Sequence, residues 1–148
     1  MNKIFAFIIV TPFIALLLFK AVAFYEYDTK QRYMKNIIDS VAYNVKITGR
    51  LDREGYDNLK ISLNKLGTFN DSDIVMRKGY FGSDGTLMDN MSVYGVNEQL
   101  SRGDAFAIYI KSSGVSNYSR IQNGGVAADD TKNLYFKAKA FCRVEKNN

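Results

Sequence analysis

Clustered carboxylates and a single thiol are the first side chains in this sequence to consider for metal binding or catalysis. The acidic residues include three close pairs, Asp71/Asp73, Asp84/Asp89 and Asp129/Asp130. Carboxylate oxygens can ligate Ca²⁺, but the EF-hand pattern D-x-[DN]-x-[DN]-G is absent from the sequence. Aspartate in turn segments commonly bonds its own backbone. We therefore interpret all six as turn residues and predict no metal site.

The residue types needed for a nucleophile–base pair are missing or badly placed. The sequence has no His, which excludes Ser-His-Asp and Cys-His catalysis. Its one Cys, Cys142, alternates onto the apolar face of the last predicted strand, where a small buried hydrophobe is expected. A reactive thiol would need cationic neighbours, and Lys139 and Arg143 lie on the opposite face of that strand. Residues 79–85 are glycine-rich but lack the P-loop Lys-Ser/Thr pair, which favours a hairpin over a phosphate site.

These observations predict a protein that is not an enzyme, with no cofactor and no small-molecule substrate; an anchored enzyme stays as a third alternative. The 148 residues suffice for one domain, and 47% hydrophobic with 24% charged residues is typical of a folding chain. The net charge of +5 comes from Lys and Arg interspersed with acids. Because no basic run or aromatic stacking motif concentrates this charge, we predict no nucleic-acid partner.

The N-terminal segment is apolar over the length of a membrane span. Residues 4–19 are apolar except Thr11 and Pro12, and the run resumes after Lys20. A bilayer core needs roughly 20 apolar residues, and Lys20 near the end can snorkel to the headgroups. Phe24, Tyr25 and Tyr27 resemble the aromatic belt of a membrane interface. Residues 1–25 are therefore predicted to be a retained transmembrane anchor.

A cleaved secretory signal is the alternative interpretation of the same segment. Residues 1–3 form a short basic start, and Ala21-Val22-Ala23 is an A-x-A site. Cleavage after Ala23 would release a secreted binding module. The orientation of an anchor also stays open, because Lys20, Lys30, Arg32 and Lys35 follow the span and the positive-inside rule would then keep the domain in the cytoplasm.

Helical periodicity continues beyond the span. Apolar residues recur every three or four positions, at Tyr33/Met34, Ile37/Ile38, Val41 and Val45, which predicts a helical stalk over residues 26–48. Gly49 is placed to end this helix. Asp52 is a predicted N-cap for a second, short helix that Gly67 closes.

From residue 69 onward the pattern changes from helical to alternating. Strands are predicted over residues 73–78, 86–94, 105–111 and 134–145, with a further edge strand over residues 115–120. Both faces of residues 105–110 are apolar, so this strand should be central and covered on both sides. The fold class is α+β: a long N-terminal transmembrane and amphipathic helix, a second short helix and a small antiparallel sheet, with residues 26–148 as one domain.

This layout resembles that of pilin-like proteins. Residues 36–51 (NIIDSVAYNVKITGRL) and the terminal Tyr135-Phe136-Lys137-Ala138-Lys139-Ala140 resemble small single-pass proteins of conjugative-transfer gene clusters in Gram-positive bacteria, which are similar to TadE-type pseudopilins. Type IV pilins carry a Gly before the apolar run and a Glu within it. Here no Gly precedes the run and Glu26 follows it, so the resemblance implies an unprocessed accessory protein.

The resemblance implies a non-enzymatic component of a bacterial conjugation or secretion apparatus. It would sit in the cell membrane with a single pass and an extracytoplasmic domain, and it would contact other subunits or further copies of itself. The residues predicted to face partners are Tyr27, Tyr43, Tyr135, Lys137 and Lys139. Aromatic residues are enriched where proteins contact each other, which is the physical reason for the tyrosines.

Overall fold

A computed structural model describes residues 2–82, 85–86 and 91–146 of the chain. Helix α1 spans Asn2–Thr48, α2 Arg53–Asn64 and α3 Asn117–Asn123. Strand β1 spans Ile74–Tyr80, β2 Ser92–Val93, β3 Asp104–Val115 and β4 Tyr135–Arg143, and single 3-10 turns lie at Asp71–Asp73 and Asp130–Lys132. The predicted α+β class is confirmed.

Helix α1 has two halves with different surroundings. From Lys3 to Val22 its side chains are exposed except for the half-exposed Ala15. From Met34 onward it buries Met34, Ile38, Val41 and Val45, each at most 8% exposed. The other two members of the predicted stripe differ: Ile37 is half-buried against the core and Tyr33 is 58% exposed. The helix ends as predicted at Gly49, which has φ +74° and whose N–H donates to the Val45 carbonyl at 2.8 Å.

Helix α2 begins at the predicted cap. The Asp52 carboxylate accepts a hydrogen bond from the Gly55 N–H at 2.8 Å, which satisfies a free donor of the first turn. Leu59 and Leu63 then enter the same core as the stripe of α1. Both helices therefore cover one face of the sheet.

The sheet is antiparallel throughout and has the strand order β2-β1-β3-β4. Strand β3 is central, as predicted. Its second face is covered only in part: Ala105 and Ala107 are buried, but Tyr109 is 41% exposed. Ala107 lies between Arg77 and Phe141 on the neighbouring strands. The larger side chains of these two neighbours shield Ala107 from solvent although no helix or strand of the described chain packs on this face. The prediction that β3 is covered on both faces is therefore wrong from Tyr109 onward.

The predicted edge strand over residues 115–120 is also wrong. Strand β3 ends at Val115, and Ser116 caps α3 by accepting a hydrogen bond from the Ser119 N–H at 3.2 Å. A serine N-cap and the left-handed Gly124 (φ +70°) at the other end favour one short helix over extended backbone.

The predicted strand over residues 86–94 is found only at its end. Ser92–Val93 pairs with Arg77 and Lys78, and Tyr94 turns into the core; residues 87–90, including Asp89, lie outside the described residues. The glycine-rich segment 79–85 joins β1 towards β2, with Gly82 N–H bonded to the Thr86 carbonyl at 2.8 Å. Ser83 and Asp84 of that hairpin also lie outside the described part.

The burial of one side of α1 predicts that a new carboxylate lowers the free energy of unfolding by different amounts at two adjacent positions. Val45→Asp places a carboxylate where the side chain is 0% exposed, and a buried unpaired charge commonly costs about 3–5 kcal/mol. Asn44→Asp adds the same charge in the same helical turn on the exposed side and should cost at most about 1 kcal/mol. Urea unfolding of the full-length chain in detergent measures both, and equal losses would contradict the assigned face.

Candidate protein-interaction surface

The predicted turn aspartates make local hydrogen bonds and ion pairs. Asp73 accepts from the Asn70 N–H at 2.7 Å, and Asp129 accepts from the Thr131 N–H at 3.0 Å. Asp71 pairs with Lys60 at 2.5 Å, and Asp130 accepts from the Tyr135 hydroxyl. Among the described residues no three His, Cys, Asp or Glu side chains are grouped as metal ligands.

Cys142 lies on the core side of β4, as predicted. It is half-buried and packs against the main core. Burial raises the pKa of the thiol from its usual value of 9.0 to about 11, because the thiolate loses solvation there. The arrangement therefore makes Cys142 a poor nucleophile at neutral pH.

The sheet face turned away from the helices is partly apolar and open to solvent. Cross-strand register places Val75, Tyr109 and Lys139 in one row and Arg77, Ala107 and Phe141 in the next. Phe141 is 63% exposed and Val93, on the β2 edge, is 79% exposed. We call this surface the open sheet face; its members are Val75, Arg77, Val93, Tyr109, Lys111, Tyr135, Lys137, Lys139, Phe141 and Arg143.

Positive charges surround the apolar centre of the open sheet face. A shallow groove of about 690 Å³ beside Val75 and Tyr109 is lined by Lys35, Lys111, Lys137 and Lys139, with Asp73 as its acidic member. Long cationic side chains keep an apolar surface soluble and leave it accessible. The surface therefore suits a partner that brings an apolar or aromatic side chain together with carboxylates.

Tyr135 is held in place by neighbours within the domain. Its hydroxyl donates to Asp130, and the Lys111 ammonium lies over its ring at 4.1 Å from the centroid. The hydrogen bond with Asp130 raises the pKa of Tyr135, and the same bond lowers the pKa of Asp130. A partner would meet a fixed ring rather than a free side chain.

The outer edge of β4 is closed at both ends by α1. The Gln31 amide bonds both the N–H and the carbonyl of Lys137, and the Glu145 N–H donates to the Lys46 carbonyl at 2.8 Å. Alternate residues of a strand direct their backbone groups to the same side. Lys139, Phe141 and Arg143 therefore point their backbone groups outward between these two closures, where the structure records no partner within the described chain.

The two predicted tyrosines of the stalk occupy different environments. Tyr43 is 61% exposed. The Tyr27 ring stacks on Phe136 at 5.3 Å, and its hydroxyl donates to the Tyr135 carbonyl at 3.3 Å. Tyr27 thus has a role inside the domain that sequence analysis did not assign, because a long-range contact with β4 supplies its partner.

Sequence reasoning missed several residues of the open sheet face. Phe141 shares the two-residue alternation of Tyr135, Lys137 and Lys139, so that signal could have included it. Val75 and Tyr109 join the surface only through the register of β1 on β3. The role of Gln31 depends on α1 lying beside β4, for which the sequence carries no local signal.

Comparisons with known proteins assign no family to this surface. The chain matches no protein-family model, no curated protein and no solved structure.

The raised pKa of Cys142 predicts slow alkylation. A rise from 9.0 to about 11 lowers the thiolate fraction at pH 8 by about 100-fold. We expect the folded full-length chain to react with N-ethylmaleimide far more slowly than the urea-unfolded chain, with the rate still rising above pH 9. Equal rates in the two states would contradict the buried environment of the thiol.

Proposed function

We propose that this protein is a non-enzymatic, single-pass membrane component of a bacterial conjugation or secretion apparatus, pilin-like in plan, that acts through protein contacts. The observation that carries the proposal is the combination of one exposed apolar helix with a domain whose sheet leaves a basic-rimmed apolar face open. The first feature suits a membrane and the second suits another protein.

The length and composition of α1 support the membrane part. It is the one helix in the described chain long and apolar enough to cross a membrane, with a mean hydropathy of 2.4 over its most apolar window. The exposed side chains from Ile4 to Val22 have no partner layer within the domain, so lipid is their natural surrounding. A cleaved signal sequence could have the same length and apolar composition.

The continuity of α1 favours retention over cleavage. Ala23, at the A-x-A site, is only 7% exposed and lies within an unbroken helix. Phe24, the residue after the site, packs edge-on against Tyr118 at 5.2 Å. Cleavage there would cut α1 at the point where the helix and the domain meet.

The open sheet face supports the protein-contact part. Phe141 and Tyr109 offer aromatic anchors of the kind that concentrate binding energy. Self-pairing of two β4 edges centred on Phe141 would place Lys139 of one copy opposite Arg143 of the other, and like charges directly opposite destabilise a pair. A strand of a different subunit that carries acidic side chains therefore fits the β4 edge beside this face better than the β4 edge of a second copy.

Membrane retention and sidedness are tested with one cysteine-substituted chain. The double variant Cys142→Ser, Val93→Cys moves the single thiol to a residue that is 79% exposed. We expect the chain to stay in membranes after carbonate washing and to be labelled in intact cells by a membrane-impermeant maleimide. The wild-type chain, with its thiol half-buried, is the labelling control.

Two other outcomes would contradict this part of the proposal. A carbonate-soluble chain beginning at Phe24 would support the secreted binding module instead. Labelling of the variant only after cell lysis would put the domain in the cytoplasm, in line with the positive charges that follow the span.

The partner-facing role of the open sheet face is tested with a matched pair of charge substitutions. Phe141→Glu places a carboxylate on the β4 part of the face, and Ile61→Glu places the same charge on α2 at a residue of similar exposure, 63% against 57%. We expect Phe141→Glu to abolish co-purification with the products of neighbouring genes and to reduce transfer or secretion, because truncating or charging an interface anchor commonly costs about 2 kcal/mol or more. Ile61→Glu should leave both unchanged.

Phe141 makes a cleaner test than Tyr135 or the Lys137 backbone, which have partners within the domain. Circular dichroism of both full-length variants in detergent checks their folding. If Phe141→Glu folds and still co-purifies as the wild type does, the open sheet face is only a solvated surface.

A further inference from the structure

The domain begins on α1 where a membrane span would end. Ala23 is the first buried residue of the helix, at 7% exposure. A bilayer core takes roughly 20 residues of helix, and counting from Ile4 this length ends at Ala23. No spacer therefore separates the span from the domain, and the end of the domain nearest the N-terminal half of α1 lies at the level of the lipid headgroups.

Helix α3 and the loop after it form that end of the domain. Tyr118 packs against Phe24 at 5.2 Å and against Tyr27 at 6.1 Å. The Ser119 hydroxyl accepts from the Leu134 N–H at 2.9 Å, and Asn123 donates to the Lys132 carbonyl at 2.9 Å. These contacts join residues 116–134 into one unit, which we call the membrane-side segment.

The course of β4 along α1 gives the same level independently. Lys137 is bonded to Gln31, and Glu145 is bonded to Lys46 further along the helix, so strand and helix run in the same direction. The bond from the Tyr27 hydroxyl to the Tyr135 carbonyl continues this alignment, so the residues before Tyr135 lie toward the N-terminal end of α1. The membrane-side segment therefore lies beyond the start of the sheet, on the side of the apolar half of α1.

Three apolar side chains of this segment are exposed by 40% or more. Ile121 is 43% exposed, Val126 61% and Leu134 40%. The left-handed Gly124 and Gly125, with φ +70° and +145°, turn the chain directly before Val126. Arg120 and Lys132 are balanced by Asp129 and Asp130, so the segment has no net charge to attract anionic lipid.

We propose that the membrane-side segment is a second membrane contact, with Ile121 and Val126 inserted at the boundary between headgroups and acyl chains. The inference rests on the proposed transmembrane anchor and goes beyond it, because an anchor alone leaves the domain free to tilt on the bilayer. The occupant of this surface is the lipid interface itself, whose polar headgroup layer is about 5–7 Å thick on each side. Insertion is driven by apolar burial and not by charge.

The absence of tryptophan from the sequence allows a direct test. Four single variants of the full-length chain are placed in phosphatidylcholine vesicles at low protein density: Ile121→Trp, Val126→Trp, Val93→Trp and Phe13→Trp. Lipids carrying a doxyl quencher near the headgroup, and in a second preparation near the end of the acyl chain, report lipid contact at the interface and at the bilayer centre, and aqueous acrylamide reports water contact. Val93, far along the sheet and 79% exposed, is the matched control, and Phe13 within the span is the positive control.

The expected result is strong doxyl quenching and blue-shifted emission for Ile121→Trp and Val126→Trp, and acrylamide quenching alone for Val93→Trp. Replacing phosphatidylcholine by phosphatidylglycerol should leave the doxyl quenching unchanged. Circular dichroism checks folding, and Val126, in an exposed loop, carries the test if the substitution in α3 unfolds the domain.

Three outcomes would overturn the inference or its basis. If Phe13→Trp is quenched by lipid but Ile121→Trp and Val126→Trp are quenched only by acrylamide, the anchor stands and the second contact is wrong. If both are protected from both quenchers, protein covers the segment, either a second copy or another helix. If Phe13→Trp itself is not quenched by lipid, the proposed anchor fails.

Discussion

The packing of one apolar stripe of α1 against one face of the sheet is the interaction on which the rest of this structure depends. Met34, Ile38 and Val45 are fully buried there, and burying a side chain of this size contributes about 1.5–3 kcal/mol. Helix α2 enters the same core from the same side. Helices α1 and α2 thus pack on the same face of the sheet, which leaves Phe141 and Tyr109 exposed on the other face.

The same helix also determines how the sheet edge is finished. Unpaired edge strands invite aggregation, and proteins commonly cover them or place charges on them. Here Gln31 and the Lys46 carbonyl occupy the two ends of the β4 edge, while Lys139 and Arg143 flank the uncovered middle. The cations on both sides of Phe141 disfavour pairing with a neutral apolar strand, which keeps the edge soluble. A strand that carries acidic side chains could still pair there.

An unbroken α1 links the apolar segment to the domain mechanically. Between Asn2 and Thr48 the helix contains one proline, Pro12, well before the first domain contact at Ala23. Because a continuous helix transmits its direction, the domain and the last turns of the apolar segment share one orientation. The position of Tyr118 against Phe24 and Tyr27 reinforces that coupling with two aromatic contacts.

The sequence by itself determined the elements whose signals are local: the helical stripe of α1, its end at Gly49, the Asp52 cap, the central place of β3 and the alternation of β4. The strand predicted over residues 115–120 was wrong, because Ser116 caps a short helix there despite the strand-like composition. Only the tertiary structure decided that Val75, Tyr109 and Phe141 share an open face and that Tyr27 and Gln31 serve β4. The physical reason is that register and helix placement arise from contacts between residues distant in the chain, and no local pattern encodes which distant residues meet.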